Sequence, residues 1–409
     1  MDPQPSPSPW STCARDVVAD LSASQIRLVA NAGLARDDVL AFWFGESDEA
    51  TPVAVREAAA SSLRSGETFY SHNLGLPALR EAVAAYASLL HRPHQPLTAE
   101  RVAITSSGVN ALMVAQQALV NPGDEVVVVV PVWPNLCAQP RILGACLTEV
   151  SLQPDGAGAW QLDLGRLLAA VTSDTRVLLL NSPNNPTGWT LGTEEQAQIL
   201  AHCRRTGTWI VADEVYERLY YPTPAPDQPV DGRPVCAPSF LDIADARDRL
   251  VVVQSFSKSF LMTGWRLGAL IVPPLLMDDL GKLLEFNTSC APVFVQRAGI
   301  EALRLAEQTV PALQAHLRRC RDTLVEALAD LPGVQAASPP GAMYVFLRVA
   351  GARDSLVLAQ RLVAEQGLGL APGVAFGASG EGWLRWCFAS REVERLRLGV
   401  QRLTAALPL

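Results

Sequence analysis

The sequence predicts an α/β protein: a large domain built on a mainly parallel sheet with helices on both faces, and a smaller α+β domain. Three observations carry this reading. Five short apolar runs, RVAIT (101–105), EVVVVV (125–130), RVLLLN (176–181), WIVAD (209–213) and LVVVQSF (250–256), are rich in β-branched residues and bounded by polar, Gly or Pro residues. None alternates apolar with polar, as strands buried on both faces do not. Longer helical patterns lie between several of them, such as GVNALMVAQQAL (108–119) and EEQAQILAHCRR (194–205). After about residue 291 the pattern shifts to long helices, including 306–331, with a few strands such as AMYVFLRV (342–349).

The expected division is a tail over 1–11, marked by Pro/Ser alternation, and a segment over 12–48 that packs with the small domain. A large domain then covers 49–290 and a small one 291–409. A second Pro-rich stretch, 221–239, is unsuited to a helix or a central strand.

Composition narrows the function. The 409 residues are 49% apolar and 18% charged, enough to bury a substantial core. A net charge of −8 argues against a general binder of nucleic acid or anionic membranes. The eight Cys residues form no CxxC pair and no Cys/His set with zinc-site spacing, so no metal site is expected. Their scatter suits a reducing, cytoplasmic setting. MDPQPSPSPW lacks the apolar core of a signal peptide, and no apolar stretch approaches bilayer-spanning length.

Ligands of open parallel sheets gather where strands end and helices begin, and polar residues crowd those places here. The first run ends in TSSGVN (105–110), where Ser107, Gly108 and Val109 offer backbone N–H groups at a helix N-terminus, a site for an anion. The third run ends in NSPNNPTG (181–188), and the fourth in DEVY (213–216). Asp213 closes an apolar strand, where an isolated carboxylate is costly without a cationic partner. The fifth leads into SFSKSFLMTGWRLG (255–268). There Lys258 follows a fully apolar strand, with Ser255, Ser257 and Ser259 around it and Arg266 eight residues on. A lysine held out of water titrates low enough to act as a nucleophilic amine. Taken singly, each motif also fits an ordinary cap, turn, ion pair or surface lysine.

Together, SFSKSFLMTGWRLG with NNPTG and DEVY upstream resembles the class I/II aminotransferase family of fold-type I pyridoxal-phosphate enzymes. The likeness runs from FGESDEATP (44–52) to GWLRWCFAS (382–390). It implies a pyridoxal 5′-phosphate cofactor joined to Lys258 as a Schiff base, with the lysine amine later moving the Cα proton. Asp213 matches the acid that pairs with the pyridine nitrogen. Asn185 and Tyr216 match the groups that bond the ring hydroxyl, and Trp133 matches the stacking aromatic. Ser255, Ser257 and Arg266 match phosphate ligands, joined by the amides of Ser107, Gly108 and Val109. Arg385 corresponds to the clamp for the substrate α-carboxylate, and Gly45 to a glycine touching the same group. Tyr70, in YSHNLGLPALREA (70–82), resembles the tyrosine that reaches the phosphate of a neighbouring subunit, which implies a homodimer with a composite site.

The implied activity is ping-pong exchange of an amino group between an amino acid and a 2-oxo acid. Carbon–sulfur β-lysis or another elimination on the same scaffold is the rival. A ligand-sensing regulator is disfavoured by the acidic charge and by the short stretch ahead of Gly45. The pattern also departs from the family. Ser47 and Glu49 replace a Pro and an aromatic, and Ser107 replaces a Gly. Met343 stands where relatives often carry an aromatic, as a wall of the substrate pocket or as core. Val109 stands where some aspartate-using members have a Lys for the distal carboxylate, and the segment 287–294 shows no Arg. A dicarboxylate left unpaired there forgoes a charge-assisted bond of roughly 1.5–3 kcal/mol. The expected donor is therefore neutral, aliphatic or aromatic.

Overall fold

The structure, a computed structural model, describes residues 14–222 and 233–407. The expected tail over 1–11 and the middle of the Pro-rich stretch lie outside the described residues.

Seven strands form the large sheet: β1 (Val102–Thr105), β2 (Glu125–Val130), β3 (Cys146–Ser151), β4 (Thr175–Asn181), β5 (Trp209–Asp213), β6 (Leu250–Ser255) and β7 (Gly268–Ile271). Their order is β1–β7–β6–β5–β4–β2–β3. Every pairing from β3 across to β6 is parallel, while β7 runs antiparallel to both β6 and β1. The five apolar runs are all strands. β3 and β7 went unread in the sequence for opposite reasons. β3 is a half-exposed edge strand of mixed character, whereas β7 is fully buried but only four residues long.

Strand alternation divides the apolar side chains between two faces. Val127, Val129, Leu178, Leu180, Ile210, Ala212 and Val252 enter one core. Val126, Val128, Val177, Leu179, Val211, Val251 and Val253 enter the other. Each face is covered: Leu112, Ala115 and Leu119 of the helix Gly108–Leu119 and Leu280 and Leu284 of Met277–Asn287 pack on the second. Leu79, Val83 and Leu90 of Pro77–His91 and Ile199 and Cys203 of Thr193–Thr206 pack on the first. The helix Val293–Arg304, past the boundary expected at 290, packs against Val53–Arg64 and Pro77–His91.

A four-stranded antiparallel sheet follows: β8 (Val334–Ala336), β9 (Tyr344–Val349), β10 (Ala371–Pro372) and β11 (Trp383–Cys387), ordered β8–β9–β11–β10. The helices Ala306–Ala329, Ser355–Gln366 and Val393–Ala406 accompany it. The N-terminal segment joins this part. Leu40–Ala41 pairs in parallel with Leu368–Gly369, and the helix Gln25–Asn31 packs on Ser355–Gln366. That pairing carries residues 42–46 towards the strand ends of the large sheet.

One close approach fixes the start of the helix Gly108–Leu119. A Cβ on Gly268 would stand 2.5 Å from the carbonyl carbon of Ser107 and 2.7 Å from the nitrogen of Gly108. Both are backbone atoms, so no side-chain rotation relieves the clash. Gly268→Ala is expected to cost about 1–3 kcal/mol through this overpacking, read as a lower urea midpoint at unchanged slope. An unaltered midpoint would contradict the contact.

Candidate active site

A cleft of about 660 Å³ opens where β4, β5 and β6 end, between the two sheets. It brings together Gly45, Gly108, Val109, Trp133, Asn185, Asp213, Tyr216, Ser255, Ser257, Lys258, Arg266 and Arg385. Two residues singled out from sequence lie elsewhere. Ser107 is buried just behind the lining, and Tyr70 is 87% exposed and outside the cleft. Met343 is in the core, while its neighbour Tyr344 lines the cleft.

Asp213 ends β5 and is buried. Asn181, the last residue of β4, locks the two strand ends together: its Nδ2 donates to the Asp213 carbonyl at 3.1 Å, and its Oδ1 accepts from the Asn185 amide at 2.7 Å. Oδ1 of Asp213 has no partner within the protein. Burial pushes this carboxyl up to about 7, against the opposing pull of the Val215 amide and of Lys258. Lys258 is shifted the other way. Burial brings its amine down to about 8, helped by the positive charges of Arg385 and Arg266, with Cys387 and Glu46 opposing. Its Nζ donates to the Gly45 carbonyl at 2.5 Å and lies 5.7 Å from the Tyr216 ring centroid. Acid and amine are thus both drawn towards their neutral forms.

At one end of the cleft, Gly108 and Val109 begin a helix, so their N–H groups have no intrahelical acceptor. Ser255, Ser257 and the guanidinium of Arg266 line the same cleft, an arrangement suited to an anion. Ser107 caps this helix, its Oγ accepting from Asn110 N at 3.2 Å. It does so at φ +124°, a region that glycine occupies without strain.

Arg385 is buried and held on three sides. Its Nη1 donates to Oδ1 of Asn185 at 2.9 Å, and Nη2 donates to the Trp43 carbonyl. The Tyr344 and Phe376 ring centroids lie 4.5 and 4.9 Å from its Cζ. Nε has no partner. The hydroxyls of Tyr216 and Tyr344 share a hydrogen bond of 2.7 Å, and burial holds both phenols above their ordinary range.

Sequence reasoning missed Tyr344, Asn181, Phe44, Glu46 and Arg27, all in the lining. Asn181 opens the NSPNNPTG motif and Tyr344 puts a hydroxyl into an apolar strand, so both carried a local signal. Arg27 and Phe44 carried none. Two of the residues that depart from the family have partners: the Ser47 hydroxyl accepts from the Glu49 amide at 3.1 Å, and the Glu49 carboxylate lies 3.7 Å from His316.

A lysine amine drawn towards its neutral form can attack carbonyl carbons. Comparison with known proteins agrees. Residues 37–403 match the family described as aminotransferase class I and II. The chain is 31% identical over 390 residues to an aspartate aminotransferase of Pyrococcus horikoshii, covering 95% of each. It is 32% identical over 351 residues to the arginine–pyruvate transaminase AruH of Pseudomonas aeruginosa, covering 85% of each. The solved structure of Thermus thermophilus aspartate aminotransferase with maleate superposes with a TM-score of 0.86 at 30% identity, over 97% of this chain and 100% of that one. The chain belongs to the class I and II aminotransferase family, whose members use pyridoxal phosphate, and it is an aminotransferase.

Two outcomes follow from the shifted groups. Because folding raises the Asp213 pKa from its ordinary 3.8 to about 7, its contribution to stability is lost as pH rises through that window. Asp213→Asn in the cofactor-free protein is therefore expected to flatten this slope and to raise stability above pH 7 by a few kcal/mol, about, in urea titrations. A variant less stable than the parent at pH 8 would refute the uncompensated charge. Capture of a simple aldehyde at Lys258, trapped with borohydride, should rise with pH and level off above about 8; a rise continuing to pH 10 would contradict the lowered amine.

Proposed function

We propose that this aminotransferase binds pyridoxal 5′-phosphate at Lys258 and moves an amino group from a neutral amino acid to a 2-oxo acid. The observation that carries the reading is the orphaned Oδ1 of Asp213, buried in the cleft that holds the lysine amine. A protonated ring nitrogen supplies the cation this carboxylate lacks. The Gly108 and Val109 amides, with Ser255, Ser257 and Arg266, suit the phosphate, and Trp133 gives an apolar wall.

When bound, the cofactor supplies an aldehyde and a ring that accepts the electron pair released at the substrate Cα. The remaining work falls to the chain. Arg385, with Nε free, takes the substrate α-carboxylate and fixes its orientation. Asn185 holds that guanidinium from the other side. The Lys258 amine, near neutral, takes the Cα proton and gives it back. Tyr216 lends its hydroxyl to the ring oxygen, with Tyr344 as its partner.

The two relatives are named for different donors, aspartate and arginine, so membership alone leaves the donor open. Ile26, Val109 and Leu112 in the cleft wall favour a neutral side chain. Tyr70 and Phe69, 87% and 84% exposed, suit a homodimer in which a second copy covers them and receives Tyr70 at its phosphate site. Among the described residues every cysteine is free, which fits a reducing cytoplasm, and no helix is long and apolar enough to cross a membrane.

Lys258→Ala is expected to lower transamination by at least about 10²–10⁴-fold, in assays of oxo-acid formation from a panel of amino acids. The fold should be retained, and borohydride should no longer fix the cofactor to the peptide carrying residue 258. Covalent fixation at another lysine, or sustained turnover, would overturn the assignment.

A further inference from the structure

Two buried phenols share one hydrogen bond in the cleft and, among the described residues, make no other. Tyr344 opens β9, Tyr216 follows β5, and their hydroxyl oxygens are 2.7 Å apart. Each hydroxyl carries one proton. The bond between them uses one of the two, so the other has to find its acceptor in the cleft that both residues line.

The surroundings decide which hydroxyl donates to the other. The Tyr344 ring centroid lies 4.5 Å from Cζ of Arg385. Burial holds both phenols above their ordinary range, but Arg385 pulls Tyr344 down whereas Tyr344 pushes Tyr216 up. Asp213 raises both, Cys387 also raises Tyr344, and the Lys258 amine lies 5.7 Å from the Tyr216 ring centroid. Tyr344 is therefore the better donor of the two. Its hydroxyl also has no room to turn away. A Cβ on Gly45 would stand 2.1 Å from the Tyr344 oxygen, so that position has to be glycine. The backbone there is pinned: the Trp43 carbonyl accepts from Arg385, the Phe44 ring centroid lies 4.8 Å from Cζ of Arg27, and the Gly45 carbonyl accepts from Lys258.

We propose that Tyr344 is a positioning residue: its hydroxyl donates to Tyr216, and this commits the Tyr216 proton to the ring oxygen of the cofactor. The inference rests on the cofactor reading of the same site and adds to it a single direction for the protons of this pair. A hydroxyl that accepts one hydrogen bond donates the next more strongly. Negative charge on the ring oxygen is then better held, so the proton shared between that oxygen and the lysine nitrogen leaves at lower pH. Tyr344 acts through Tyr216 alone.

The test is a spectroscopic titration of the protein loaded with pyridoxal 5′-phosphate, in which the absorbance of the Lys258-bound cofactor is followed against pH without substrate. Tyr344→Phe keeps the ring over Arg385 and removes the hydroxyl. The midpoint should rise by about half a pH unit as the Tyr216 donation weakens. Tyr216→Phe should raise it further. With Tyr216→Phe already in place, adding Tyr344→Phe should change nothing, because its effect passes through the missing hydroxyl. An unmoved midpoint in Tyr344→Phe, as mere packing predicts, overturns the role of Tyr344 and leaves the cofactor reading standing. So does a shift of the same size in the Tyr216→Phe background. A protein that takes up no cofactor overturns both.

Discussion

The cleft depends on a carboxylate that the fold buries and does not neutralise. Asp213 sits at the end of a strand whose neighbours are fixed in register on both sides, with Asn181 tying β4 to β5 at that point. The acid therefore cannot swing out to water, and one oxygen remains without a partner. The same dry surroundings that raise Asp213 lower Lys258, so an acid and an amine meet with their titrations drawn close together, at about 7 and about 8. A cationic ring nitrogen bound at Asp213, as proposed above, would relieve the strain of the acid. It would then stabilise the folded chain as well, because a ligand that binds only the folded state adds its binding free energy to stability.

Much of this was legible in the sequence because it is local. The long β-branched runs identify themselves as strands, and the motifs at their ends travel with them: TSSGVN, NSPNNPTG, DEVY and SFSKS all reach the cleft by virtue of where their strands stop. β7 was not legible, since four apolar residues after a glycine do not separate from a loop until a neighbouring strand is present. Its antiparallel run also places Gly268 under the helix that presents the Gly108 and Val109 amides.

Long-range placement accounts for the rest. The neutral-donor expectation looked for a second arginine in 287–294 and found none there. Arg27 reaches the lining from the helix Gln25–Asn31, in the segment that the pairing of Leu40–Ala41 with Leu368–Gly369 ties down. No pattern near residue 27 announces a cleft residue, because the partner strand lies more than three hundred positions away. Tyr344 is similar: its hydroxyl gains meaning only when β9 brings it to Tyr216. The tail and the middle of the Pro-rich stretch lie outside the described residues.

The segment Trp43–Phe44–Gly45 also constrains how the cleft changes shape. It is one stretch of backbone, anchored through Leu40–Ala41 to the smaller sheet's neighbourhood and ending against the lysine of the larger one. Contacts at both ends of this tripeptide leave it little slack. A shift transmitted from the smaller lobe thus alters the grip on both arginines and on the amine in a single stroke, so opening and ligand release at this mouth are geared together.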